Sequence, residues 1–234
     1  QYHYMVNDNP GYDYSQLAVL SIDGTKADQY DKCITELKRI PQVDQISTAS
    51  CLLTEWQSGN NISLPGDDKE YMNVADLYNV SDGYLKLMGI PIVQGRNFTE
   101  QTDSLREVMV SQSFVKRMKQ AARWTDDIVG KKILISEHSD MGNKAFTICG
   151  VYRDFRIGSL SQPDTRPSVM FYSRHPSNYI MIRFHRLTAD AMKSVNDRVT
   201  QLFPDRNIKL QGYPTMITNL YPSPPHFRSG VLSA

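Results

Sequence analysis

The sequence predicts an α+β protein built from two parts, and two observations carry this prediction. A strand, an amphipathic helix and a second strand follow one another near each end of the chain, at about 17–54 and 180–210. Residues 55–179 lie between these β-α-β units and are rich in strand-forming segments. Two such units are typical of the halves of a split β-α-β sandwich, with helices on one face of a sheet. The middle stretch therefore predicts a separate β-rich part inserted between the halves.

The first unit begins with a β-prone run at 17–22 that closes at Asp23 and Gly24. The helix that follows has one apolar stripe at the i, i+3, i+4, i+7 spacing. The stripe consists of Tyr30, Cys33, Ile34 and Leu37. Pro41 ends this helix because proline cannot continue it, and a second strand is predicted at 45–54.

The second unit begins with an alternating strand that predicts one buried and one solvent-facing side. Its apolar side consists of Ile180, Ile182 and Phe184, and its other side of Met181, Arg183 and His185. Thr188 is a predicted N-cap, and Pro204 ends the helix that it begins. The inward positions of that helix are Met192, Val195, Val199 and Leu202. Ile208 and Leu210 predict a final strand.

The middle stretch predicts five strands, at 71–80, 90–94, 107–111, 128–135 and 146–152. Two short helices are predicted at 82–88 and 112–121, and a further strand at 168–172. The polar stretch 57–69 predicts a hairpin or a mobile loop.

The charge balance gives no electrostatic reason to propose a partner that is recognised by its own charge. The chain has 26 basic and 25 acidic residues, so we expect neither nucleic acid nor an anionic membrane surface as a partner. The densest basic cluster falls on the helix predicted at 112–121, and we interpret it as a solvated face. The cluster consists of Lys116, Arg117, Lys119 and Arg123.

No motif predicts catalysis, a cofactor or a metal site. Ser21-Ile22-Asp23-Gly24-Thr25 resembles the Asp-x-Asp-Gly-Thr loop of haloacid-dehalogenase-like phosphatases, but Ser21 replaces the nucleophilic aspartate. We therefore interpret it as a strand-to-helix turn. Four carboxylates near predicted turns are interpreted as solvated. They are Asp76, Asp82, Glu100 and Asp103.

The histidines and cysteines are dispersed. Histidines occur at 3, 138, 175, 185 and 226 without a metal-binding spacing, and His185 is predicted to face solvent. Cys33 and Cys149 lie at apolar positions and are predicted core residues. A disulfide bridge between Cys33 and Cys51 remains an alternative if the chain lies in an oxidising compartment.

Residues 84–100 read YLKLMGIPIVQGRNFTE. This segment resembles the MacB-like periplasmic core domain of the FtsX/MacB-like permeases, in which Met-Gly-Ile-Pro, a strand and Gly-Arg-x-Phe-Thr follow a short helix. Three more segments resemble the family in the same order, EVMVSQSFVKRM at 107–118, IVGKKILI at 128–135 and FTICGVYRDF at 146–155. In physical terms Gly89 suits a helix C-cap, Pro91 a strand start, and Arg96 a local pairing.

The two ends of the chain resemble membrane-proximal segments of Bacteroidetes-type permeases, at 4–20 and 221–234. Prolines 222, 224 and 225 interrupt any continuous helix there. No run approaches the roughly 20 apolar residues of a membrane span, and Gln1 is not a start methionine, so we expect the chain to be a piece of a longer one.

The resemblance implies a division into a porter-like split β-α-β part, at 1–79 and 165–222, and a β-rich sabre-like part at 80–164. Residues 223–234 would approach a membrane helix. It further implies a periplasmic domain anchored in the bacterial inner membrane, which relays movement driven by an ABC ATPase and works with a permease dimer partner. The alternative is a domain that recruits a periplasmic adaptor or lipoprotein through Trp56 and the stretch 57–69. Neither hypothesis assigns catalytic, cofactor-binding or metal-binding residues.

Overall fold

The computed structural model describes residues 9–55, 59–98, 106–136, 145–156, 165–175 and 178–220. Eleven strands lie in these ranges: β1 Leu17–Ser21, β2 Val43–Ala49, β3 Asn60–Leu64, β4 Asp67–Val80, β5 Ile92–Gly95, β6 Glu107–Ser111, β7 Lys132–Ile135, β8 Phe146–Tyr152, β9 Ser168–Tyr172, β10 Tyr179–Phe184 and β11 Leu210–Gly212. The five helices there are α1 Ala27–Leu37, α2 Tyr84–Met88, α3 Gln112–Ala121, α4 Ala189–Leu202 and α5 Tyr213–Leu220.

The two β-α-β units interleave in one sheet. The strand order is β11-β1-β10-β2, and β10 pairs antiparallel with both β1 and β2. Each unit therefore encloses a strand of the other, which confirms the split β-α-β sandwich and the α+β class. We call these four strands the terminal sheet.

Helices α1 and α4 cover one face of the terminal sheet. The predicted apolar stripes are buried there, with Cys33, Leu37, Val195 and Val199 at most 1% exposed. Thr188 caps α4 as predicted, because the Ala191 amide donates to its hydroxyl over 3.2 Å. Arg198 of α4 also pairs with Glu36 of α1.

Six strands of the middle stretch form a closed circuit of pairings. Following hydrogen-bonded neighbours from β4 leads through β3, β7, β8, β6 and β9 and back to β4. We call these strands the ring. The apolar side chains of its strands form one buried cluster with Phe114 and Met118 of α3. Strand β5 lies outside the circuit and pairs with β8.

Strand β4 joins the ring to the terminal sheet. Its residues Asp76–Val80 pair in parallel with Ser168–Tyr172 of β9, and Val80 also lies opposite Ala49 of β2. A third buried cluster lies where the two meet, and much of it is tyrosine. We call this region the junction.

Several predicted boundaries shift for local reasons. The strand predicted at 45–54 is Val43–Ala49, and the one predicted at 128–135 begins at Lys132, after a turn at Gly130 with φ 90°. Of the stretch 57–69, the described residues form β3 and the start of β4, so the hairpin interpretation is correct for them. Helix α5 was not predicted.

The expectation of a half-buried β10 is wrong. Met181 is 0% exposed, because the junction cluster covers the face that the alternation assigned to solvent. His185, at the end of the same run, is exposed as predicted.

Candidate functional site: the junction and its leading segment

Residues 9–16, which we call the leading segment, run into β1 and contact α2, β10, α5 and the turn after β8. Arg183 of β10 holds this segment to the terminal sheet with its planar guanidinium. Its Nε donates to the Leu87 carbonyl over 2.8 Å, one Nη donates to an Asp13 carboxylate oxygen over 3.1 Å, and the other donates to the Asp13 carbonyl. One side chain thus links β10, α2 and the leading segment.

Asp13 is the acceptor at the centre of this link. Partial burial alone would raise the pKa of its carboxyl group, but hydrogen bonds from Ser15 and the nearby Arg183 outweigh that and lower the pKa. The carboxylate is therefore charged at neutral pH and holds the guanidinium in place.

The Met-Gly-Ile-Pro sequence at 88–91 lets the leading segment pack against the end of α2. The Asp13 amide donates to the Met88 carbonyl over 2.8 Å. Gly89 ends α2 with φ 66°, and a Cβ there would lie 3.4 Å from the Asp13 Cβ. The predicted C-cap role of Gly89 is confirmed, and the positive φ is the reason for glycine at this position, since a Cβ at 3.4 Å would be in ordinary contact.

A glycine also fits the leading segment against the turn that follows β8. Gly11 has φ 91°, and a Cβ there would lie 2.8 Å from the Asp154 carbonyl oxygen and 2.9 Å from the Phe155 Cα. The Arg156 amide donates to the Pro10 carbonyl over 2.7 Å. The leading segment is therefore fixed to the ring as well as to the terminal sheet.

Aromatic rings join the leading segment to α5. The Tyr12 ring lies 6.2 Å from that of Tyr213, the first residue of α5, and 6.5 Å from that of Phe155. Both contacts are edge-to-face, the arrangement that aromatic pairs favour. The start of the described chain and the helix near its end thus meet at Tyr12.

The Asp154 side chain carries the contact onward to α3. One of its carboxylate oxygens accepts from the Ser113 amide over 2.8 Å, in the first turn of that helix. A carboxylate there stabilises the helix, since the first amides lack partners and the helix dipole is positive at this end. The aspartate-aromatic turn of FTICGVYRDF therefore connects the leading segment to α3.

Ser111 caps the same helix and provides a stability test. Its hydroxyl, on a residue only 1% exposed, accepts from the Phe114 amide over 3.2 Å and from the Ser168 amide over 3.0 Å.

We expect Ser111→Ala to lower the free energy of unfolding by about 2 kcal/mol, because two buried amides lose their acceptor. Equilibrium urea unfolding measures this. Ser194→Ala, in the middle of α4, is the control and should be neutral, so equal losses would contradict the cap.

The Gly-Arg sequence fixes β5 to β8. A Cβ on Gly95, at φ 70°, would lie 2.4 Å from the Cys149 carbonyl oxygen. A Cβ on Gly150, in β8, would lie 2.2 Å from the Arg96 carbonyl oxygen. Arg96 forms a two-pronged ion pair with Glu107. The predicted local pairing of Arg96 is confirmed, and the two glycines permit the close backbone approach.

The interpretation of Asp76 as a solvated turn carboxylate is wrong. Asp76 lies within β4 and is 0% exposed, and its Oδ1 is 2.8 Å from an Arg166 nitrogen. Burial of a carboxylate requires such a partner. Asp82 is half-buried at the start of α2, while Glu100 and Asp103 lie outside the described residues.

Among the remaining candidates, those in the described ranges are not grouped into a chemical site. His175 bonds to Asp31 over 2.8 Å, while His3, His138 and His226 lie outside the described residues. Within the described ranges no three His, Cys, Asp or Glu side chains are grouped to hold a metal ion. Cys33, Cys51 and Cys149 are free and buried, so the Cys33–Cys51 bridge is not formed. Burial raises the pKa of the Cys51 thiol to about 12, which disfavours the reactive thiolate.

These features define a class of two-part α+β domains in which interleaved β-α-β units enclose a β-rich insert. A family model described as the MacB-like periplasmic core domain matches residues 6–202. The chain belongs to the MacB-like periplasmic core domain family, and it is a periplasmic domain of a MacB-like ABC transporter permease. No curated protein matched the sequence.

Solved structures share the fold at low identity. The periplasmic region of MacB from Actinobacillus actinomycetemcomitans is 15% identical with a TM-score of 0.58, over 94% of this chain and 99% of that one. A domain of a putative permease protein from Porphyromonas gingivalis is 15% identical with a TM-score of 0.57, over 88% and 93%. The extracellular domain of YknZ, a noncanonic ABC-type transporter from Gram-positive bacteria, is 13% identical with a TM-score of 0.50, over 83% and 99%.

Among the described residues, no helix combines the length and apolar character of a membrane span.

Proposed function

We propose that this domain is anchored in the bacterial inner membrane and relays ATPase-driven movement of membrane helices to substrate export or gating. The supporting observation is that the leading segment contacts α2, β10, α5 and the turn after β8 at once. A displacement of this segment would therefore act on both parts of the domain. In this proposal the permease works as a dimer with an ABC ATPase.

The chemistry of the junction favours rigid transmission. Its contacts are backbone hydrogen bonds, an ion pair and edge-to-face rings, and Gly11 allows the leading segment to approach the backbone of Asp154 and Phe155 closely. Packed interfaces of this kind move as units because they deform little. We further propose that the moving units are the predicted parts, porter-like at 1–79 and 165–222 and sabre-like at 80–164. The cluster under α1 and α4 lies wholly within the porter-like ranges and supports that part of the division. The ring cluster draws on both ranges, because β3, β4 and β9 contribute to it, so in this proposal the ring is where the two units meet.

Amide hydrogen exchange in the full-length permease tests the relay without knowledge of the substrate. We expect ATP with vanadate to change exchange at 9–16 and at 153–156 together. Gly11→Ala should remove the change at 153–156 only, because a Cβ there meets Asp154 and Phe155. Gly24→Ala is the matched control, since Gly24 also has a positive φ of 73° but no atom within 4 Å of the added carbon.

Two results would contradict the relay. One is an unchanged response at 153–156 in Gly11→Ala, and the other is a nucleotide response confined to 9–16 in the unmodified permease.

A second candidate function is recruitment of a periplasmic adaptor or lipoprotein. It is favoured by the hairpin between β3 and β4, whose residues 65–70 are all exposed. Trp56 and residues 57 and 58 of the predicted contact lie outside the described residues. Reversing both charges near the tip of the hairpin, by Asp68→Lys and Lys69→Glu in the permease, should abolish co-purification of such a partner. If the partner still co-purifies, this hairpin is not its contact.

A further inference from the structure

The outer face of α3 carries basic residues and no acidic residue. A counter-charge lies beyond the helix at the Asp126 carboxylate, whose pKa is lowered by a hydrogen bond from Lys131 and also by the charge of Lys119. Four basic residues on or just after this helix are exposed, and none of them forms an ion pair within the described part of the chain. They are Lys116, Arg117, Lys119 and Arg123. No acidic residue occurs between Glu107 and Asp126, although the whole chain has a net charge of only +1. We call these four residues the basic face.

The basic face belongs to a firmly held amphipathic helix. Phe114 and Met118 on the opposite side are 0% exposed in the core of the ring, and Ser111 caps the first turn. The backbone positions of Lys116, Arg117 and Lys119 are therefore held in place relative to the ring.

Only the basic side of α3 is open to a partner. Its apolar side is buried in the ring, and Trp124, just beyond Arg123, packs partly buried against the same cluster, with its ring centroid 5.2 Å from the Lys131 ammonium nitrogen. Clusters of exposed lysine and arginine attract anionic lipid head groups by charge alone, without inserted apolar side chains.

The position of α3 agrees with such a role. Its N-terminus is tied through Asp154 to the leading segment at Gly11. In the proposed function the leading segment comes from the membrane, and α3 is only about 15 Å long at 1.5 Å per residue. The basic face therefore lies within roughly one helix length of that segment.

We propose that the basic face of α3 binds the surface of a bilayer that contains anionic phospholipids. This contact would hold the ring toward the membrane. The four residues are exposed, as the interpretation of a solvated face predicts, and the proposal adds a partner for that face. It departs from the expectation that the near-zero net charge of the whole chain gives no reason for an anionic membrane surface as a partner, because here the charge is local. Its biological setting rests on the proposed membrane anchorage, but its test uses the chain alone, so either proposal can fail without the other.

Vesicle flotation of the isolated chain tests the proposal. We expect binding to phosphatidylcholine vesicles containing about one-quarter phosphatidylglycerol, and none to vesicles of phosphatidylcholine alone. Binding should weaken roughly tenfold or more when the salt is raised from about 50 mM to about 300 mM. A triple variant of the helix should lose binding while keeping its far-ultraviolet circular dichroism. Its substitutions are Lys116→Glu, Arg117→Glu and Lys119→Glu.

A second triple variant distinguishes the effect of losing the basic face from the effect of lowering the net charge of the chain. It reverses three exposed lysines elsewhere, Lys32→Glu, Lys38→Glu and Lys209→Glu. This variant should bind as the unmodified chain does. The proposal is overturned if the unmodified chain ignores phosphatidylglycerol, or if both variants lose binding equally. It is also overturned if the helix variant keeps vesicle binding and loses an acidic protein partner instead.

Discussion

Replacing Gly150 by alanine is expected to lower the free energy of unfolding by about 3 kcal/mol. The added Cβ would lie 2.2 Å from the Arg96 carbonyl oxygen and 2.9 Å from the Met109 Cε. The methionine tip can move aside, but the carbonyl belongs to the backbone just after β5, so β5 must separate from β8. Equilibrium urea unfolding of the isolated chain measures the loss.

Gly83→Ala is the matched control for this substitution. No atom lies within 4 Å of a Cβ at Gly83, and its φ of −81° suits alanine. We expect a change of less than about 0.5 kcal/mol. Similar losses in the two variants would mean that the close approach of β5 to β8 contributes little stability.

Replacing Arg183 by methionine is expected to cost about 2–3 kcal/mol of unfolding free energy. The Arg183 side chain is only 13% exposed, and its loss removes the guanidinium donors to the Leu87 and Asp13 carbonyls, while the Asp13 carboxylate loses its ion pair but keeps its hydrogen bonds from Ser15. Methionine retains most of the apolar stem, so the loss reports mainly on the hydrogen bonds. Arg183→Lys should recover only part of it, because an ammonium group cannot reproduce the planar fork.

Arg186→Ala, at an exposed position shortly after Arg183, is the control and should leave stability unchanged. If Arg183→Lys matches the unmodified chain, the fork geometry is unnecessary and one positive charge suffices.

The features that the sequence predicts correctly depend on residues close together in the chain. The stripe of α1, the Thr188 cap and the Gly89 C-cap all follow from helical spacing or from one residue's conformational preference. The pairing of Arg96 with Glu107 also spans only eleven residues. Local physical chemistry suffices for each of them.

The features that sequence reasoning missed depend on distant partners. Asp76 resembles a turn residue until Arg166, ninety positions later, is placed beside it. The second face of β10 reads as solvent-facing because nothing near Arg183 in sequence shows that residue 13 and α2 will cover it. The junction is built from such contacts, so its composition could not be predicted from any one segment.

The interleaving of the terminal sheet has a consequence for biosynthesis. Strand β1 leaves the ribosome early, yet both of its neighbours, β10 and β11, come from the far end of the chain. The strands of the ring, by contrast, all lie between Asn60 and Tyr172 and can pair before β10 exists. Pairings between distant segments form slowly, and nascent strands that wait for partners are prone to aggregate. Of the strands in the described ranges, β1 is therefore made before its partners and is among the last to be paired, and during that delay its apolar residues are open to aggregation.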